Sequence, residues 1–470
     1  MEEHSNDELI GFVASGSRSS WCYVLLIEGK EDVVKEESFA YVIDRDQKVL
    51  GVLRSGMGID ENLRIGAYSP GVAYARKGMT PSSSRRSFTY VFSTIGRVED
   101  NGEIRENRLI LTPGSPVHLC RDNPFTSLGK DYVYAARHWE KPWSIPFDPT
   151  GIPMHIGVVG STGSGKSFLT RYVIIPLMAE AGYSVLAFNW HGCDYAPYVK
   201  DEQKISIADV EMDGATAARY IGHKALYFGY SAAENKPYRV LRDVLEGTDS
   251  WRNEEPENLK EWIMNEMASI LGEKTWQRVS GAVERGLNRL SMEDWKRILG
   301  KTKPSEIVKK AKGKGLLVVD MSGFGDEEKL SVFYSIASEV KQRIDGGEEM
   351  NMCLVIDEAP QFCPYGAKGI QAYTRDVIKE LAATGRKHKL SLVLISQGLA
   401  GEIGIDASVR RNLNTHFIGK VLSQDKREVE DMLGAYHISY ESLLRLERGQ
   451  FYFEGRMNPF PTPILISFDI

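Results

Sequence analysis

Eight residues, Gly160-Ser161-Thr162-Gly163-Ser164-Gly165-Lys166-Ser167, have the types and spacing that phosphate chemistry requires. Glycines at 160, 163 and 165 let the backbone curl its N–H groups around phosphate oxygens, and a helix starting behind them adds partial positive charge. In such a P-loop Lys166 reaches the β and γ phosphates, Ser167 offers its hydroxyl to Mg²⁺, and Phe168 closes the nucleotide-binding run. The expected chemistry is binding and hydrolysis of ATP with Mg²⁺.

A second set follows about 190 residues downstream, where the apolar run Met352-Cys-Leu-Val-Ile ends in Asp357-Glu358. Carboxylates at a strand end suit a Walker B element: Asp357 for the Mg²⁺ shell and Glu358 to orient and polarise the attacking water. A further strand-like run, Leu390 to Ile395, ends in Ser396-Gln397. The Gln397 amide can donate to the γ-phosphate and accept from that water.

Other residues leave alternatives open. Arg386, in the turn Gly385-Arg-Lys-His-Lys389, can project into a neighbouring subunit's ATP, contact a DNA phosphate or be solvated; Arg410 or Arg411 can fill the first role instead. The loop Pro364-Tyr-Gly-Ala-Lys-Gly369 offers Lys368 and Tyr365 to a DNA backbone, against the plainer reading of a surface loop. His191 reads as a hydrogen-bonded loop group.

The elements that must position these residues divide the chain. Residues 1–125 carry short β-rich runs, Trp21 to Glu28, Phe39 to Ile43, Lys48 to Leu53, Phe88 to Ile95 and Arg108 to Leu111, which favour a small barrel or sandwich. The stretch Thr80 to Arg86 reads as an exposed loop, and residues 126–150, rich in Trp and Pro, as a connector. From 151 to 470 apolar strands alternate with helical stretches, the pattern of a mainly parallel α/β sheet with helices on both faces. A helical insertion is expected over about 216–312, and short strands return in a tail over about 449–470.

The chain of 470 residues is too long for one core, and 42% hydrophobic with 26% charged residues is a globular composition. The five cysteines show no C-x-x-C pair, which argues against zinc or disulfide frameworks and for a reducing, cytoplasmic setting. No uncharged run approaches the ~18 residues of a membrane span. A net charge of −6 gives no global basic footprint for nucleic acid, although a ring needs positive charge only on its inner surface.

Together these residues resemble the HerA group of the HerA and FtsK superfamily of ring-forming P-loop ATPases. The likeness rests on Ile10-Gly-Phe-Val13, the loop 160–167, His191-Gly192, Asp357-Glu358, Gly385-Arg-Lys-His388 with Ser396-Gln397, and Leu446-Glu-Arg-Gly449. One departure is Asn189, where members usually carry an acidic residue at the end of the second strand. The resemblance implies a RecA-like motor with an N-terminal HAS barrel, assembled as a homohexamer that translocates on double-stranded DNA. It also implies a NurA-type nuclease docked to the barrel, for processing DNA ends. DNA pumping in conjugation or packaging, and a nucleotide-gated hexameric scaffold for an effector nuclease in antiviral defence, are the alternatives.

Overall fold

A computed structural model of the chain describes residues 8–63, 70–79, 86–129, 131–230, 235–399 and 401–468. Contacts divide it into two compact units. The first comprises residues 1–152, 159–177 and 414–470, the second 153–158 and 178–413.

The first unit opens with strands β1 (Glu8–Val13), β2 (Trp21–Leu26), β3 (Phe39–Asp44), β4 (Gln47–Asp60), β5 (Arg86–Val98), β6 (Ile104–Arg105) and β7 (Pro116–Leu119). Their order is β2-β1-β7-β3-β4-β5, and β5 pairs back to β2, so six strands close a barrel with β6 on its rim. Alternation along the strands turns Ile10, Val24, Val42, Leu53 and Phe92 into a buried core. Gly51 is needed there, because a Cβ would lie 2.6 Å from a ring carbon of Phe92.

Two expectations are corrected in this unit. Arg108 to Leu111 is not a strand; Asn107 bonds its own neighbourhood, donating to Leu109 O and accepting the Leu109 N–H, and that local turn displaces the ladder. The region 126–150 is not a bare connector either. It holds the hairpin β8 (Val133–His138) and β9 (Ser144–Phe147), and Pro146 is tolerated because β9 ends its row of strands. Of the expected loop Thr80 to Arg86, residues 80–85 lie outside the described residues and Arg86 begins β5.

The remaining strands are β10 (Ile156–Val159), β11 (Ser184–Asn189), β12 (Lys204–Ser206), β13 (Leu316–Asp320), β14 (Met352–Ile356), β15 (Leu390–Ser396), β16 (Thr415–Ile418), β17 (Phe451–Gly455) and β18 (Ile464–Ser467). In the second unit the order is β12-β13-β11-β14-β15-β10, and the β12–β13, β11–β13, β11–β14 and β14–β15 pairs are all parallel. Strands β11, β14 and β15 are buried along their whole length, as sheets covered on both faces must be. In the first unit β16, β17, β18, β8 and β9 form an antiparallel row.

Among the described residues, six α-helices lie between β12 and β13, from Gly214–Lys224 to Pro304–Lys314. The first is capped by Asp213, which accepts the Thr216 N–H at 2.8 Å. Among the described residues, no helix is long and apolar enough to cross a membrane.

Candidate nucleotide site

The predicted site residues fall into two groups, one in each unit. The first unit holds the P-loop. Gly163 and Gly165 take φ values of 82° and 102°, where a side chain would be strained, and a Cβ on Gly160 would meet Ser164 Oγ at 2.6 Å. The Lys166 ammonium folds back over this loop and donates to Gly160 O at 2.8 Å and Ser161 O at 3.3 Å. Ser161, Thr162, Ser164 and Ser167 complete the turn, with Ser164 buried and its hydroxyl without a hydrogen-bond partner.

The helix behind the loop runs Lys166 to Glu180 with a π-turn over Thr170–Ile174. Pro176 explains the turn. It has no N–H for Tyr172 O and its ring would crowd that carbonyl, so the helix widens just before it, and Ile175 N–H reaches back to Thr170 O.

Backbone groups from the end of the chain hold the loop from outside. Ser161 N–H donates to Lys420 O at 2.6 Å, and Gly449 N–H donates to Ser164 O at 2.9 Å. Neither position was singled out as part of the site. The only sequence signal was the run Leu446-Glu-Arg-Gly449, because a main-chain bond leaves no mark on residue type at Lys420.

The second unit holds the carboxylates. Asp357 follows β14 and is 6% exposed, and its Oδ1 accepts the Glu358 N–H at 2.9 Å. Glu358 itself adopts φ 52° and ψ 46°, a left-handed conformation that is unfavourable for a residue with a Cβ. The parallel register of β14 with β15 brings Gln397 alongside, and its amide donates to Glu358 Oε1 at 3.2 Å. The structure thus brings together Asp357, Glu358 and Gln397 at the carboxyl ends of neighbouring strands.

Asn189 ends β11 in register with Asp320, one strand over from Asp357. It is fully buried, and neither atom of its amide has a hydrogen-bond partner. The adjacent His191 is exposed, and Gly192 at φ 80° permits the loop to pass Ser322.

The predicted basic residues are not part of either group. Arg386 is exposed in a short 3-10 turn at the start of β15, the opposite end from Gln397. Arg410 is half-buried and bonded to Leu399 O, whereas Arg411 is exposed. Tyr365 is 78% exposed and Lys368 exposed, on a loop with positive φ at Gly366 and Gly369.

Residues 139–340 match the family model described as the central domain of the helicase HerA, less than half of the chain. The match supports a HerA-type P-loop ATPase, in line with the motif resemblance. No curated protein matches. Similar solved structures include VirB4 of Thermoanaerobacter pseudethanolicus, at 15% identity over 73% of this chain and 97% of that one, with a TM-score of 0.49. The bacterial conjugative coupling protein TrwB is similar at 15% identity over 69% and 87%, with a TM-score of 0.46. The genome packaging NTPase B204 of Sulfolobus turreted icosahedral virus 2, in complex with ATP-gammaS, is similar at 15% over 68% and 98%, with a TM-score of 0.33.

Proposed function

We propose that this chain hydrolyses ATP to translocate double-stranded DNA as a homohexamer, with a NurA-type nuclease on its barrel, in the processing of DNA ends. The observation that supports this most is the pairing of Gln397 with a strained Glu358 beside Asp357. Sites that hold a water-activating carboxylate under backbone strain, with an amide on its oxygen, are prepared for hydrolysis rather than for binding alone.

In this reading Lys166 leaves the Gly160 and Ser161 carbonyls for the β and γ phosphate oxygens when a nucleotide enters. Glu358 accepts a hydrogen bond from the attacking water and takes its proton, while Gln397 turns from Glu358 toward the γ-phosphate. Ser167 and Asp357 offer the hard oxygen donors that suit Mg²⁺, which when bound supplies positive charge to the β and γ oxygens. The positive-φ turn at Gly366 and Gly369 lets Lys368 and Tyr365 move against a DNA backbone.

Arg386 acts in trans. Strand β15 is seven residues long, so Arg386 is about 23 Å from Gln397 in its own chain, too far for a guanidinium to reach. In this reading its target is a neighbour's nucleotide rather than a DNA phosphate or solvent. Mixing Lys166→Ala with Arg386→Ala subunits tests this: each parent ring should be inactive, and mixed rings should recover ATPase. Mixed rings of normal size that stay inactive go against the trans role. Displacement of a DNA triplex by the wild-type ring separates a motor from a scaffold.

A further inference from the structure

The run Leu446-Glu-Arg-Gly449 has no part in the mechanism above, yet it lies on the P-loop. Gly449 N–H bonds Ser164 O at 2.9 Å, and the approach is so close that a Cβ on Gly165 would come within 3.0 Å of Gly449 N. This strap delivers Arg448 to a particular place. Its guanidinium is 4.6 Å from the centre of the Phe168 ring, and Arg171 is 4.5 Å from the same ring. Tyr172, exposed, continues the group with its ring 5.9 Å from that of Phe168. Arg448 is itself exposed and, among the described residues, makes no ion pair.

The direction of the P-loop says what such a group faces. Lys166 marks the β and γ end of a triphosphate, and the backbone N–H groups that follow it cradle the α-phosphate. The nucleoside therefore leaves the loop on the side of Phe168. A planar guanidinium backed by an aromatic ring, with one face open, stacks well on a nucleobase.

We propose that Arg448 and Phe168 form the platform on which the base of a bound nucleoside triphosphate stacks, with the Gly449 strap holding that platform to the P-loop. This rests on the reading of residues 160–167 as a nucleotide site. A stack contacts the face of the base and not its edge, so it selects for the larger purine surface over pyrimidines rather than for one purine.

Calorimetric titration of the full chain with the non-hydrolysable analogue AMPPNP, and with inorganic tripolyphosphate, tests the proposal. Arg448→Ala should weaken AMPPNP binding about 2- to 30-fold while leaving tripolyphosphate unchanged. Arg448→Lys should recover part of the loss at most, because an ammonium has no planar face. Unchanged AMPPNP affinity in Arg448→Ala overturns the proposal. So does an equal loss for both ligands, which would make Arg448 a brace for the loop and nothing more. A wild-type chain that binds neither ligand removes the nucleotide reading itself, and this platform with it.

Discussion

The two units hold themselves together by different means. The first ties remote parts of the sequence with buried polar groups: Arg54, 1% exposed on β4, pairs with Glu37 at 2.9 Å and also donates to Thr462 Oγ1 at 2.7 Å and to Pro463 O. Tyr452 OH donates to the same Glu37 carboxylate at 3.1 Å, and the His138 ring bonds Glu37 O at 2.9 Å. The barrel is thereby locked to the C-terminal segment that also straps the P-loop. The second unit instead relies on a parallel sheet buried on both faces, and among the non-glycine residues it holds at positive φ, His155, Asn351 and Lys389 included, is the candidate-site residue Glu358. A polar lock specifies which segments meet, and an apolar sheet supplies the reserve that lets such a residue be strained.

Loss of function should separate the units most sharply. Glu358→Gln keeps the shape of the second unit and removes the proposed base, so turnover should fall about 10²- to 10⁴-fold with nucleotide affinity retained. Lys166→Ala, in the first unit, should lose nucleotide affinity instead. Single-turnover kinetics with a separate binding assay measures both, and near-normal turnover in Glu358→Gln rejects it as the base.

Stability should separate them the other way. Arg54→Met leaves Glu37 buried without its cation, and burial already pushes that carboxyl upward in pKa. The expected cost is about 3–5 kcal/mol, most of which Arg54→Met with Glu37→Leu should restore. Hydrogen exchange in β3 and β4 reports the loss; the peptides of β14 and β15 should be unaffected. If the single variant exchanges like wild type, the lock contributes nothing.

Sequence pattern disclosed what recurs locally. The glycine spacing at 160–165, the apolar run before Asp357-Glu358 and the β-rich runs that become β2 and β3 each stand in one short window. It missed what depends on distant partners. Strand β8 is fixed by pairing with β18 some 330 residues away, and the Gly449 strap uses a main-chain bond that no residue type encodes. Arg108 to Leu111 shows the reverse failure, since an apolar run with the right look was captured by the side chain of Asn107. The left-handed backbone at Glu358 was equally hidden, because strain at a working residue opposes propensity.

Acid should weaken both units alike, which would blur the contrast. Burial pushes His138 in the first unit and His155 in the second down to about 4. His155 Nδ1 accepts the Leu392 N–H at 3.1 Å and Nε2 bonds Ala382 O at 2.9 Å, so the ring is neutral and has no place for a second proton. The unfolded chain takes up that proton first, near the ordinary value of about 6.5. Stability is therefore complete above pH 6.5 and is lost as pH falls toward 4, by about 2 kcal/mol per histidine at pH 5. Exchange measured at pH 7 and pH 5 should show comparable losses around β8 and β15. An effect at β8 alone would mean that the second unit does not depend on His155.

The smallest effect bears most directly on strain. Glycine adopts φ 52° freely, so Glu358→Gly should relieve the second unit, while greater freedom of the unfolded chain offsets part of the gain. The net change is a stabilisation on the order of 1 kcal/mol, in a variant that no longer hydrolyses ATP. Glu358→Ala is the control, because it removes the same carboxylate yet keeps a Cβ in the left-handed region. Thermal or denaturant melts should place Gly above Ala. With no strain at this position Gly would fall below Ala by the freedom it adds to the unfolded chain, and the second unit would then owe its catalytic geometry to the Gln397 contact alone.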